Sequence, residues 1–290
     1  MNQRRRNVLP LNKVKVDDFF WNKYTRLVTD QIIPYQWEAL NDRVEDAEPS
    51  HCIKNFEIAA GLREGEFEGA VFQDTDLAKW LEAVAYSLAY EPDAELEKRA
   101  DAMIDLIGKA QQPDGYLDTY FIIKEPDKKF CNLREGHELY TAGHFMEAAV
   151  AYYQVTGKEK FLHIMQRVAD LICEVFHQEA FQQAVPGHEE VEIGLIRLYQ
   201  VTGERRYLEM AKDFVDTTVE PVVTYERGLL GGTDVIRLSG KRMDAEAWSS
   251  DALYAEKRVP LKETELTLVP YCYWGNRKTG EMQTWMKFLQ

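Results

Sequence analysis

Three of the six histidines directly follow a glycine. His137 and His188 do so where helices are predicted to begin, after Gly136 and Gly187. Imidazole donates or accepts hydrogen bonds and exchanges protons near neutral pH, so it suits polar ligands and acid–base chemistry. We expect His137 and His188 to point towards a common centre and to contact a ligand. His144 lies two helical turns after His137, and we expect a buried ring that is bonded to a backbone carbonyl.

Carboxylates are the second group of candidate functional side chains. Glycoside hydrolysis, for example, generally needs two of them, one as acid and one as base or nucleophile. Their spacing singles out no pair, and no catalytic residue is predicted. The candidates are Asp74, Asp118, Glu138 and Glu189.

Two loops that mix aromatic and polar residues, 71–76 and 111–118, are candidates for lining a pocket. Binding residues concentrate in loops of this kind. Gln73 and Asp74 belong to the first loop. The alternatives are structural: Asp76 could cap a helix, and the Asp-Gly step of the second loop could form a turn.

The four cysteines, Cys52, Cys131, Cys173 and Cys272, are scattered along the chain. Structural zinc ligands usually come in close pairs, and isolated thiols inside a cell stay reduced. We therefore predict free cysteines and no cofactor. A zinc site assembled from distant positions is the alternative.

An internal repeat indicates the elements that position these residues. Residues 153–157 read Tyr-Gln-Val-Thr-Gly, and the same five letters return at 199–203, 46 residues later. Each copy ends an apolar-periodic helix and precedes an aromatic-Leu pair that opens the next one, which is typical of stacked αα-hairpins. A fainter copy lies at 85–93. A closed ring of six such hairpins would need about 276 residues, so we predict an incomplete ring.

The periodicity predicts a mainly α domain at 17–220 and a β or irregular segment at 221–290, which the strand-like residues 13–16 could join. Within the first domain we expect a helix from Phe19 that is broken at Pro34. Seven further helices follow, at 55–62, 77–88, 94–110, 137–155, 159–176, 190–201 and 204–218. Strands are expected within 224–240, at 266–271 and at 282–286.

Charge and hydropathy exclude several classes of partner. The net charge of −14 disfavours nucleic acid. No apolar stretch approaches the length of a membrane span, and no apolar run follows the basic first residues. We expect a soluble, cytoplasmic protein.

Several segments together resemble one family. They are 33–37, 71–76, 79–82, 111–119, 137–144, 187–188 and 268–282. This pattern is similar to that of the β-L-arabinofuranosidases of glycoside hydrolase family 127, over residues 14–219 and 266–286. The resemblance implies an (α/α)6 barrel followed by β-sandwich domains, and hydrolysis of terminal arabinofuranosides with retention.

The resemblance also implies roles for particular residues. His137 and His188 match positions that contact the sugar, and Gln73 and Asp74 match a loop of the pocket. The family's nucleophile is a cysteine in a zinc site of three cysteines and a glutamate, and a separate glutamate is the acid/base. These residues belong to the second half of the barrel. The chain contains no Cys-Cys pair and no Glu-x-Cys, so the second half and its zinc site are expected to be absent.

Two hypotheses follow. The first is an arabinofuranosidase-type hydrolase that is incomplete and inactive alone, with an arabinofuranoside-type glycan as ligand and with self-association or a complementing chain. The second is a non-catalytic carbohydrate-binding relic or pseudoenzyme. Sugar epimerisation by histidine and carboxylate is a weaker alternative.

Overall fold

The computed structural model describes residues 13–181, 184–218, 221–226, 234–240 and 257–259, with side chains up to residue 215. The chain divides into a helical unit that ends at Val215 and a second unit that begins at Asp216. No helix in these ranges is both long enough and apolar enough to cross a membrane.

The helical unit consists of hairpins. Its elements are α1 (Phe19–Leu27), a π-helical turn (Val28–Ile32), α2 (Ile33–Leu40), α3 (Cys52–Ala59), α4 (Asp74–Tyr90), α5 (Ala94–Ala110), α6 (Thr119–Ile123), α7 (Glu138–Thr156), α8 (Lys160–Phe176), α9 (Val191–Thr202) and α10 (Arg205–Thr218). Helix α7 packs between α4 and α9. Each of these helices forms a hairpin with the helix that follows it: α4 with α5, α7 with α8 and α9 with α10. The predicted mainly α, incomplete hairpin toroid is confirmed.

The sequence repeat corresponds to a repeated helix ending. Gly157 and Gly203 follow α7 and α9 with φ of 74° and 76°, a left-handed conformation that glycine adopts without strain. In both copies the threonine before the glycine accepts a hydrogen bond from the amide two residues later, from Lys158 to Thr156 and from Glu204 to Thr202. Identical residues therefore build identical turns.

Small residues let α7 and α9 approach closely. A Cβ atom at Gly143 would lie 2.7 Å from the backbone carbon and oxygen of Glu190. A Cβ atom at Gly194 would lie 2.9 Å from the carbonyl oxygen of Gly143. Real Cβ atoms do not approach backbone atoms so closely, so only glycine fits at both positions.

Two predictions about the first forty residues are wrong. The helix continues through Pro34, because the π-helical turn Val28–Ile32 directly precedes α2 and its wider hydrogen bonding accommodates a residue that has no amide hydrogen. Residues 13–16 form no strand. Instead, the Lys15 ammonium lies over the Tyr90 ring at 5.4 Å, so the segment contacts a helix and pairs with no strand in the described part of the chain.

The second unit contains a small antiparallel sheet of β1 (Pro221–Glu226), β2 (Asp234–Gly240) and β3 (Lys257–Val259), in the order β1-β2-β3. Pro221 pairs with Gly240 and Glu226 with Val235, so β1 and β2 are joined across the glycine-rich segment. The strands predicted at 266–271 and 282–286 lie outside the described residues.

Gly143→Ala tests the close contact of α7 and α9. The added methyl would collide with backbone and not with the end of a flexible side chain. We expect a loss of about 1–3 kcal/mol in the free energy of unfolding, measured by urea denaturation. Gly108→Ala in α5 is the control: its Cβ would meet only the tip of Ile164, at 3.0 Å, and its stability should stay within about 1 kcal/mol of the parent. Equal effects of the two substitutions would contradict this explanation.

Candidate functional site

The starts of α7 and α9 bring His137 and His188 together. His137 precedes α7 with φ of 56°, a left-handed conformation that turns the chain sharply into the helix. Its Nδ1 lies 2.7 Å from the carbonyl oxygen of Glu135, which fixes the ring. His188 lies in the loop that leads into α9. Because α7 and α9 are neighbours, the two rings meet with centroids 4.7 Å apart.

Two aromatic rings complete this group, which we call the histidine–aromatic cluster: Phe72, His137, Tyr140 and His188. Phe72 lies 5.1 Å from His137, and Tyr140 lies 5.1 Å from His188, between ring centroids. Phe72 is 44% exposed and the other three rings are partly buried, so the cluster reaches the surface. Apolar ring faces beside imidazole nitrogens suit a polyhydroxylated ring that has one CH-rich face.

The surroundings of His188 favour its neutral state. Burial lowers the pKa of His188 below its ordinary value, and the nearby His137 lowers it further. The Nδ1 atom of His188 is also buried without a hydrogen-bond partner in the described part of the chain. A neutral imidazole has one nitrogen that donates and one that accepts a hydrogen bond, which suits contact with hydroxyl groups.

Gln73 and Asp74, the other two predicted ligand contacts, are differently placed. The Asp74 side chain is buried at the start of α4, and its two oxygens accept hydrogen bonds from the amide (2.7 Å) and hydroxyl (2.6 Å) of Thr119. The Gln73 amide donates to Asp76 at 2.6 Å and accepts from the amide of Ala70. Gln73 therefore stabilises its own loop, while Asp74 fastens the start of α4 to the start of α6, and we leave Asp74 out of the proposed sugar-binding set.

Of the remaining carboxylate candidates, Asp118 and Glu138 form a buried acidic group with Asp74, whereas Glu189 is exposed in the loop that leads into α9. Glu138 accepts hydrogen bonds from the Tyr116 hydroxyl and the Phe130 amide, and burial raises its pKa to about 7. Burial also raises the pKa of Asp74 to about 6. Asp118 has a strongly raised pKa, because it is buried and faces the charges of both other acids. These acids are positioned as protonated or hydrogen-bonded core groups.

The loop 111–118 is fastened to α8. The Arg167 guanidinium donates to the side chain of Gln111 and to the carbonyls of Gln112 and Pro113. The Gly115 amide donates to the Gln112 carbonyl at 2.9 Å, so the structural alternative for this loop, a turn, is present. Asp118 in addition caps α6 by accepting from the Phe121 amide.

His144 has a different partner from the one predicted. Its Nδ1 lies 3.1 Å from Oε1 of Glu190 and not beside a backbone carbonyl, because the close contact of α7 with the start of α9 brings a carboxylate to that position. Burial lowers the pKa of His144 to about 4, and burial together with Glu147 raises that of Glu190 to about 8.

The described cysteines do not fit the zinc site that the resemblance implies. Cys52 and Cys173 are buried on different helices, and Cys131 is exposed in a loop. The one described group of three or more potential metal ligands is His144, Glu147 and Glu190, which contains no cysteine. We therefore assign no chemistry to a cysteine-bound metal. Cys272 lies outside the described residues.

Sequence reasoning missed Phe72 and Tyr140 as members of the cluster. Tyr140 follows His137 by three residues, so a helix starting there would place both rings on one face. That spacing was a usable signal. The contact of Phe72 with His137 joins residues 65 positions apart, and only the packing of α4 against α7 creates it.

Comparison with known families gives two matches along the chain. Residues 13–256 match the model described as the β-L-arabinofuranosidase, GH127 catalytic domain. Residues 236–287 match the model of the glycoside hydrolase family 127 C-terminal domain.

Individual relatives agree with the family models. The chain is 40% identical over 233 residues to a non-reducing end β-L-arabinofuranosidase of Bifidobacterium longum, covering 74% of this chain and 35% of the relative. It is similar to the crystal structure of a GH127 β-L-arabinofuranosidase from Geobacillus stearothermophilus T6, with a TM-score of 0.69 and 57% identity over 70% of this chain and 32% of that one. A GH127 β-arabinofuranosidase structure gives a TM-score of 0.65 and 35% identity over 72% and 33%. The chain thus spans about a third of the length of the relatives it matches.

The buried acidic group predicts an unusual pH dependence of stability. Its folded-state pKa values lie above those of the unfolded chain, so the stability that these acids contribute is present below about pH 4 and is lost as the pH rises through about 6 to 7. Asp118→Asn removes one buried carboxylate, whose Oδ2 has no hydrogen-bond partner among the described residues. We expect the variant to gain about 1 kcal/mol in the free energy of unfolding at pH 8 and much less at pH 5.

Urea denaturation at both pH values measures this difference. Asp127→Asn, at an exposed position, is the matched control and should change stability little at either pH. A loss of stability for Asp118→Asn at pH 8 would contradict the interpretation of these acids as a strained buried group.

Proposed function

Because the chain belongs to glycoside hydrolase family 127, we propose that it provides the sugar-binding half of an arabinofuranosidase-type glycoside hydrolase and that it is inactive alone. The observation that carries the proposal is the pairing of His137 and His188 at 4.7 Å, between the rings of Phe72 and Tyr140. The proposed ligand is an arabinofuranoside-type glycan. The relatives named above are β-L-arabinofuranosidases, which supports this choice.

In the proposed binding mode, the imidazole nitrogens hydrogen-bond the sugar hydroxyls and the ring faces cover its apolar side. His188 contributes its partly buried imidazole ring and Tyr140 its hydroxyl. The Lys79 ammonium lies 3.1 Å from that hydroxyl and 5.2 Å from the Tyr140 ring centroid, which orients the phenol. Gln73 supports the binding loop through its own hydrogen bonds.

The arrangement of the acids supports inactivity of the isolated chain. Retaining hydrolysis requires a nucleophile and an acid on opposite sides of the anomeric carbon, about 5 Å apart when both are carboxylates. Asp74, Asp118 and Glu138 are 1–3% exposed and bonded to the core, so they cannot reach such a sugar. Positioning groups alone cannot form a covalent glycosyl intermediate.

Exposed apolar helix surface supports the proposal of self-association or of a complementing chain. On α1 the side chains of Phe19 and Trp21 are 97% and 56% exposed, and on α9 Ile193 is 46% exposed. Covering such side chains is favourable at about 25 cal/mol per Å². The non-catalytic carbohydrate-binding relic remains the second candidate, and it makes the same binding prediction.

Ligand binding tests the proposal directly. In saturation-transfer NMR and calorimetry, methyl β-L-arabinofuranoside should bind the chain, and His188→Ala should weaken binding about tenfold, because one hydrogen bond contributes about 1–1.5 kcal/mol. His163→Ala is the matched control, since that histidine is 64% exposed on α8. Equal loss in both variants, or no binding by the parent chain, would refute the proposed site.

A hydrolysis assay tests the proposed inactivity. The purified chain should release p-nitrophenol from an aryl arabinofuranoside no faster than buffer does. Turnover that survives Cys272→Ala and disappears in His137→Ala would instead indicate histidine-based chemistry.

A further inference from the structure

A second polar cluster lies further along α7 than the histidine–aromatic cluster and shares no residue with it. His144 and Glu147 are three residues apart on α7 and therefore share a helix face. Glu190 immediately precedes α9, and the glycine contact between Gly143 and Glu190 brings its side chain to that face. The cluster of His144, Glu147 and Glu190 thus exists only because the two helices approach closely.

The atoms of this cluster lie close enough together to bind one ion. One nitrogen or oxygen from each side chain lies within 4.8 Å of the other two. Nδ1 of His144 lies 3.1 Å from Oε1 of Glu190. That oxygen and Nε2 of His144 are buried without a hydrogen-bond partner in the described part of the chain, and a cation bound between the two side chains would supply a partner.

Arg197 is a cation next to this cluster, but its ion pairs are with other carboxylates than that of Glu190. Arg197 Nε lies 3.1 Å from Oε1 of Glu147, and its Nη1 lies 3.2 Å from Oε1 of Glu82. The single positive charge of the guanidinium is therefore shared between Glu147 and Glu82. The carboxylate of Glu190 faces the His144 ring.

The size and exposure of the cluster suit a metal ion. Ligand atoms around an ion with bonds of about 2.1 Å lie about 3.4 to 4.2 Å apart, and the three candidate atoms lie within 4.8 Å of one another. The three side chains are 14–15% exposed, which leaves access for an ion and for water in its remaining coordination positions.

We propose that His144, Glu147 and Glu190 bind a divalent first-row transition metal ion, such as Zn²⁺, and thereby fasten α7 to the start of α9. One imidazole nitrogen and two carboxylate oxygens favour such an ion over Ca²⁺ or Mg²⁺, which prefer all-oxygen sites. The site uses no cysteine and does not depend on the proposed sugar binding.

Calorimetric titration of the chelator-treated full chain with Zn²⁺ tests the proposal. We expect one saturable equivalent and a thermal midpoint that rises with zinc concentration. His144→Ala and Glu190→Gln should each weaken binding by at least the roughly 10- to 100-fold that loss of an outer-shell partner costs. The exposed thiol of Cys131 and the pair of His137 and His188 could also bind zinc. Cys131→Ser and His137→Ala are therefore the controls, and each variant should bind zinc as tightly as the parent chain does.

Several results would overturn the proposal: no saturable binding up to about 1 mM zinc, unchanged binding in both ligand variants, loss of binding in Cys131→Ser, or equally tight binding of Mg²⁺. The competing explanation is a proton held between Glu190 and Glu147. In that case Glu190→Gln should stabilise the metal-free chain and the parent should bind no zinc. Circular dichroism establishes that each variant is folded, and Glu147→Gln replaces any variant that is not.

Discussion

The distance between α7 and α9 is the constraint on which both polar clusters depend. Gly143 and Gly194 leave no room for a Cβ atom between the helices, so backbone meets backbone. This contact places the loop before α9 across the start of α7. His188 then contacts His137 at the start of α7, and Glu190 contacts His144, which lies two helical turns further along α7. A larger residue at either glycine would separate both pairs together.

Helix α7 can hold polar groups inside the fold because it is buried nearly all round. Neighbours on both sides cover it, and its buried side chains include Glu138 and Thr141 alongside many alanines. Helix α8 instead buries one apolar face and exposes a charged one, as expected of an outer helix. Polar residues on an inner helix are costly unless they are bonded or bind a ligand. The unpartnered atoms of His144 and His188 stand out for this reason.

The helical unit has a complete local structure. Its hairpins end in the same glycine turns, and its core is continuous from Ile33 to Phe214. Asp74, Asp118 and Glu138 are hydrogen-bonded inside that core. The chain spans about a third of the length of the relatives it matches. Membership of the family and possession of its activity are therefore separate questions for this chain.

The sequence by itself determined the hairpin repeat, most helix boundaries and the family. Glycine stops, apolar periodicity and characteristic segments are local signals, and each acts within a few residues. It did not determine that Pro34 lies within a continuing helix or that residues 13–16 form no strand, since both depend on neighbours. Only the tertiary structure decided that Asp74 turns inward to Thr119 and that His144 faces Glu190. Such partners lie 45 or more residues apart, and helix packing, which no local pattern encodes, sets their distance.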